Sequence, residues 1–276
     1  MTNHQILIGD SRKLMKRLPS SSVQLIITSP PYFDKKDYSH PDQIGLGQTY
    51  QDYLSELAKV WKESFRVLEA GCNLIIDVGE VRSRENQKFK IRMLPCHLID
   101  SLEKIGFSFK GATIWFKKTK GKSPVWGSYP FPRTGVSRLE TEWILRFLKP
   151  GDSKDIRREI KEHSRLSLKE WLVYFSPIWE ISGVQQKEHP AMFPLEIPYR
   201  LIRMFSFKAV PELDFSGDTV LDPFLGSGTT TKAAILLDRN SIGIELNPEY
   251  LEVIKEKIGF SQKRLDKNIN IKIWRE

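Results

Sequence analysis

Cysteine is close to absent from this chain: Cys72 and Cys96 are the two thiols in 276 residues. Two thiols cannot build a disulfide framework or a four-ligand structural zinc site, so a reducing, cytoplasmic setting is expected. Long apolar runs are missing too. Nothing approaches the roughly 18 consecutive apolar residues of a membrane span, and residues 1–10 enter a strand-like run at once, without the layout of a signal peptide. The five histidines are scattered, with no pair at metal-ligand spacing, so no metal site is expected. The chain also lacks internal repeats and any low-complexity tail.

What is present is an ordinary globular composition, 40% hydrophobic and 28% charged. At this length it can bury one sizeable core, with little room for a second. Lys and Arg outnumber Asp and Glu by 43 to 34, a formal charge of +9. Such a surplus is an electrostatic footprint for polyanions, chiefly nucleic acid, and gains weight only beside a motif.

Along the chain, strands and helices alternate. Residues 5–9 form an apolar run closed by Asp10, and a helical stretch follows over 11–18. Residues 23–28 are rich in β-branched side chains and stop at Ser29-Pro30-Pro31-Tyr32, because neither proline can donate to a strand ladder. A polar, flexible-looking loop covers 33–49. Apolar residues at helical spacing from Tyr53 to Leu68 predict a helix over 50–68, and strands are predicted over 73–78, 111–116 and 142–148, with a helix over 93–105. An aromatic, Pro- and Gly-rich excursion, 123–134, holds Trp126, Tyr129 and Phe131, which suit packing and base contact equally. Residues 152–176 read as charged and irregular. The last stretch is strand 219–222, a glycine turn, helix 229–237, strand 241–245 and a helix from Pro248. Such alternation implies a parallel sheet covered on both faces: one α/β domain, with residues 1–150 and 186–276 as its two halves and a small basic insert, 151–185, between them.

Two turns carry the chemistry. Asp222-Pro223-Phe224-Leu225-Gly226-Ser227-Gly228-Thr229-Thr230 leads from a strand into a helix, and its glycines permit positive φ and close approach to a ligand. It lacks the third glycine of a dinucleotide fingerprint and the Lys-Ser/Thr ending of a phosphate loop, so pyrophosphate is not its best ligand. Glu245 ends the next strand, where a carboxylate can take both hydroxyls of a ribose. The bland reading is a turn that merely packs helix on strand; the acidic strand end weighs against it. Ser29 to Tyr32 sits at the carboxyl end of another strand, where α/β sheets place ligands. It offers the Ser29 hydroxyl and the Pro30 carbonyl as acceptors on a backbone that Pro31 stiffens. Its bland reading is a Pro-Pro turn with Tyr32 packed on it.

Together these turns resemble the DNA amino-methyltransferases of the β class, over most of the chain. The catalytic motif of that family reads Asp/Ser/Asn-Pro-Pro-Tyr/Phe, and its cofactor motif matches Asp222 to Thr230 throughout. The resemblance implies a Rossmann-like seven-stranded sheet, six strands parallel and one antiparallel, circularly permuted so that the catalytic motif comes first. It implies S-adenosyl-L-methionine as cofactor, bound through Asp10, Phe193, Asp222, Phe224, Gly226, Gly228, Thr229 and Glu245. Asp10 would lie near the adenine, and the segment from His189 to Pro194 would shape the methionine pocket. Ser29, Pro30, Pro31 and Tyr32 would be catalytic. An exocyclic amine is a poor nucleophile because its lone pair is delocalised, and acceptors for its N–H groups favour the tetrahedral, nucleophilic form; Tyr32 could stack on a base extruded from the duplex.

Ser in the first motif position leans towards N4 of cytosine in double-stranded DNA, as the protective half of a restriction–modification system. Adenine N6 and an RNA amino-methyltransferase acting on cytidine, for instance in ribosomal RNA, stay open, as does a binding protein that does no chemistry. So does the oligomeric state, a homodimer included. The insert would serve target recognition, and its Arg157, Arg158, Lys161 and Arg165 are expected to meet phosphates, against the bland reading of a solvated face. Pro95-Cys96 is similar to the nucleophile of cytosine C5 methyltransferases but lacks its acidic partner. Cys96 is expected to be a small buried residue.

Overall fold

The computed structural model describes residues 2–85, 88–118, 130–184, 193–260 and 269–275. Its elements, in order, are β1 (Thr2–Ile8), α1 (Ser11–Leu14), β2 (Val23–Thr28), α2 (Tyr50–Val67), β3 (Leu68–Val78), β4 (Val81–Glu85), β5 (Lys88–Arg92), α3 (Leu94–Ile105), β6 (Ser108–Lys117) and β7 (Thr141–Leu148). They continue with α4 (Arg158–Glu162), α5 (Leu168–Tyr174), β8 (Ile178–Ile181), α6 (Glu196–Phe205), β9 (Thr219–Asp222), α7 (Thr229–Leu236), β10 (Asn240–Glu245), α8 (Leu251–Ile258) and β11 (Ile269–Arg275). Trp126, Tyr129 and 189–192 lie outside the described residues.

Nine strands form one sheet in the order β11-β1-β10-β9-β2-β3-β7-β6-β8, and β4 and β5 pair separately. Eight strands run in one direction and β7 runs against them. The expected seven strands are exceeded by one at each edge: β11 pairs with β1, and β8 with β6. Strands on the rim escape sequence reading because each has a single neighbour and needs no unbroken apolar run.

Strand period sorts the core. In β2, Leu25 and Ile27 face one helical layer while Ile26 faces the other. Leu57, Val60 and Trp61 of α2 and Leu98 and Leu102 of α3 pack on the Ile26 face, and Ile197, Leu201 and Ile202 of α6 with Ala233 and Ala234 of α7 on the Leu25 face. A third cluster joins Ile6 and Ile8 to Leu251, Ile254 and Ile258 of α8. No helix among the described residues is long and apolar enough to cross a membrane.

Three local expectations need correction. Residues 11–18 hold a four-residue helix and a 3-10 turn rather than a continuous helix. Residues 152–176, read as irregular, contain α4 and α5; Ser167 and Glu170 cap α5 reciprocally, and α5 buries none of its residues. Cys96 is exposed, because Leu94, Leu98 and Leu102 supply the buried stripe of α3 and Cys96 falls outside it.

Candidate active site

The loops after β1, β2, β9 and β10 leave the same edge of the sheet, the carboxyl edge, and enclose about 800 Å³ of atom-free space, part of it open to solvent. Eight of the anticipated residues line it: Asp10, Ser29, Pro31, Phe193, Phe224, Gly226, Thr229 and Glu245. Tyr38, Gln43 and Ile44 join them from the 33–49 loop, which is more organised than its polar sequence suggests. Gln43 accepts from the Tyr38 amide at 2.7 Å, and the Asn247 side chain donates to the Tyr38 carbonyl at 3.0 Å, tying the loop to the end of β10. Ile44, an apolar residue in a polar loop, was the signal available for this in the sequence, and the structure buries it.

Gly226 has φ +55°, a left-handed conformation that lets its amide donate to Glu245 Oε2 at 2.8 Å. The other Glu245 oxygen accepts from the Asn247 amide at 2.9 Å. The Leu246 amide bonds the group as well, and of a carboxylate's roughly four lone-pair sites one stays open, so it holds the turn in place and can still accept a hydroxyl. Burial pushes Glu245 up to about 7, against the pull of these three amides.

Asp222 does not line the cavity. It lies beneath it, buried, and accepts from the Thr28 hydroxyl at 2.7 Å, the Phe224 amide at 3.0 Å and the Thr230 hydroxyl at 2.6 Å. Burial raises it to about 6, opposed by these bonds. The Thr28 contact joins the two motifs, because β2 and β9 are neighbours. Gly228 is likewise outside the lining; a Cβ there would come 3.2 Å from Ile254 Cγ2, so its service is to packing between α7 and α8. Asp10 caps α1 and pairs with Arg12 at 2.7 Å; burial favours its neutral form, but the Arg12 contacts outweigh that and hold it below the usual carboxylate range.

The Pro-Pro turn is pinned by the Tyr53 hydroxyl, which donates to the Pro31 carbonyl at 2.7 Å. Pro30 is buried and does not line the cavity, and Tyr32 is 9% exposed rather than presented as an open stacking platform. Its hydroxyl accepts from the Gly79 amide at 3.3 Å and is hydrogen-bonded to the Ser29 side chain. Burial, then the nearby Glu142 and Asp77, hold the phenol well above its usual range. Asp77, at the end of β3, is 3% exposed, and one of its carboxyl oxygens has no partner. Burial, then Glu142, hold Asp77 protonated well beyond the usual carboxylate range, although Lys117, paired with Glu142, opposes this. Sequence reading missed Asp77 because it passes for one polar position within a buried strand.

The structure does not bring Arg157, Arg158, Lys161 and Arg165 to this site. Antiparallel β7 returns the chain to the opposite, amino edge, where Arg157 donates to the Leu213 carbonyl just ahead of β9. Arg158 and Arg165 approach Glu162, and Lys161 approaches Asp155. The insert is not basic: 151–185 holds six Lys or Arg (154, 157, 158, 161, 165, 169) and six Asp or Glu (152, 155, 159, 162, 170, 180). Phe131 is 75% exposed, so it does not pack in the core. Among the described residues no cluster is placed to hold a metal ion.

A sheet edge with a glycine turn and an acidic strand end on one side of a cleft, and a rigid acceptor turn on the other, defines the class of α/β methyltransferases. Phe193, Phe224 and Leu246 offer apolar walls for the cofactor, and Glu245 an acceptor for a ribose, so the residues fit S-adenosyl-L-methionine. Comparison narrows the class. The DNA methylase family N6_N4_Mtase matches residues 23–256, and the chain belongs to it. It is 36% identical to Type II methyltransferase M.MjaI of Methanocaldococcus jannaschii, covering 98% of this chain and 96% of that protein. The putative DNA modification methylase TTHA0409 of Thermus thermophilus, solved with S-adenosyl-L-methionine, superposes with a TM-score of 0.76 at 33% identity over 97% of this chain and 99% of that one. PvuII DNA methyltransferase shares the fold, with a TM-score of 0.69 at 23% identity over 98% and 89%. The protein is a DNA methyltransferase that uses S-adenosyl-L-methionine.

Proposed function

We propose that this enzyme methylates the N4 amino group of cytosine in double-stranded DNA, as the modification partner of a type II restriction–modification pair. The observation that carries the reading is the Ser29 hydroxyl, at the cavity wall and held by Tyr32, on a turn fixed by two prolines and by Tyr53. The relatives named Type II methyltransferases support the biological setting. The chain order, catalytic turn first and glycine turn last, is what a circular permutation would give.

When bound, the cofactor supplies an electrophilic methyl group. The chain's own residues prepare the amine. Ser29 Oγ and the Pro30 carbonyl accept its N–H hydrogens, freeing the lone pair and stabilising the positive charge that develops on nitrogen. A target amine inside a duplex cannot reach a cleft walled by loops, so the base leaves the stack. Tyr32, given its burial, serves mainly to aim Ser29. Asp222 acts on cofactor binding through the turn it organises, and Glu245 through the ribose.

The test is incubation of the protein with labelled cofactor and either duplex DNA or RNA, followed by mass spectrometry of the nucleosides. N4-methyldeoxycytidine from DNA is expected. N6-methyldeoxyadenosine would overturn the assignment of the base, and label confined to RNA would overturn the substrate.

A further inference from the structure

With the insert at the amino edge, the described residues at the carboxyl edge offer another element to hold DNA. We propose that the β4–β5 hairpin is that element, a ribbon that docks on the duplex beside the target base. The inference rests on the DNA methyltransferase reading above.

Charge is the first argument. Residues 80–92 carry Arg82, Arg84, Lys88, Lys90 and Arg92 against Glu80 and Glu85, a surplus of three within thirteen residues. The whole chain's surplus is nine, so the hairpin concentrates it where the insert, at zero, does not. Position is the second. The hairpin leaves β3 immediately after Gly79, whose amide holds Tyr32. Its base is fixed on both sides. Arg92 lies over the Tyr50 ring at 4.6 Å and the Phe33 ring at 5.8 Å, and bonds Ser83 at 2.8 Å; Arg82 pairs with Glu80 and donates to the Ser137 carbonyl at 2.7 Å. Val81 is fully buried. The ribbon is thereby held in register with the catalytic turn.

Shape is the third argument. Register pairs Arg82 with Ile91 and Ser83 with Lys90, so Phe89 and Ile91 share one face and Lys90 the other. Phe89 and Ile91 are 39% and 45% exposed, and Lys90 is exposed. A two-stranded ribbon fits a DNA groove about 12 Å wide. Exposed apolar side chains beside basic ones suit groove walls and phosphates better than they suit water. Phe89 and Ile91 face sugars and base edges, while Lys90, on the ribbon's other face, meets a phosphate of the strand that flanks the groove.

The test is binding of labelled duplex DNA by anisotropy across a salt series, with S-adenosylhomocysteine titration and sedimentation velocity on the same proteins. Lys90→Ala should weaken DNA binding roughly fivefold at low salt and flatten the salt slope by about one. Phe89→Ser with Ile91→Ser should weaken it without altering the slope. Arg158→Ala, at the far edge, should match wild type, and every variant should keep wild-type cofactor affinity. Hairpin variants that bind DNA with wild-type affinity and slope would overturn the proposal, as would variants that lose self-association instead of DNA binding. A wild-type protein that fails to bind or methylate duplex DNA would instead sink the reading beneath it.

Discussion

At the scale of single residues, Ser29 and Glu245 divide chemistry from binding. Ser29 helps only as the amine rehybridises, so its contribution belongs to the transition state. Ser29→Ala should cost about a hundred- to a thousand-fold in single-turnover rate, some 2.7–4 kcal/mol, with cofactor and DNA affinity retained; near-normal turnover would remove the serine from the mechanism. Tyr32→Phe loses the hydroxyl that meets Ser29 and Gly79 while keeping the ring, so turnover should fall with little change in DNA affinity. A loss of DNA affinity instead would restore the ring to a stacking role. Glu245 sits near neutrality, at about 7, and its ionised form is the stronger acceptor for hydroxyls. S-adenosylhomocysteine affinity should therefore rise as pH climbs from 6 to 8. Glu245→Gln should weaken binding by roughly 1–3 kcal/mol and flatten that rise; parallel pH profiles for the two proteins would refute the ribose role.

At the scale of elements, the glycine turn depends on one residue in it and one beneath it. Val at Gly226 would be a β-branched side chain at φ +55°, strained in the backbone and intruding on the cavity. Gly226→Val should abolish cofactor binding by calorimetry while the circular dichroism spectrum persists. The turn was legible in the sequence because its spacing is local. The β4–β5 hairpin was legible in principle: Lys88-Phe89-Lys90-Ile91-Arg92 alternates charged and apolar residues, the period of a strand with one open face. Its charge hid it among loops. The insert misled for the opposite reason, because its Arg157-Arg158 pair drew the eye and its six acids did not.

At the scale of the whole molecule, the site stores buried charge in the sheet. Asp222 and Glu245 are both raised by burial, to about 6 and about 7, from ordinary values of 3.8 and 4.5. A carboxyl group whose folded value is raised favours folding fully below its unfolded value, and that contribution is lost as pH rises through the folded one. Asp222→Asn keeps a neutral, isosteric group, so the melting temperature of wild type relative to this variant should fall between pH 4 and pH 7. A gap that stays constant or widens with pH would mean that Asp222 is not held as described.

The sequence by itself determined the alternation of strand and helix, the two turns and the residue types they offer, because each depends on neighbours a few positions away. It could not decide which edge of the sheet a segment reaches. That depended on β7, the strand of the nine-stranded sheet that runs against the rest and carries the insert to the amino edge, and on the adjacency of β2 and β9, which lets Thr28 reach Asp222 across 194 positions. Tertiary structure also decided that Asp222 works below the cavity and that Tyr32 is packed. Burial sums contacts from distant parts of the chain, and no local pattern records that sum.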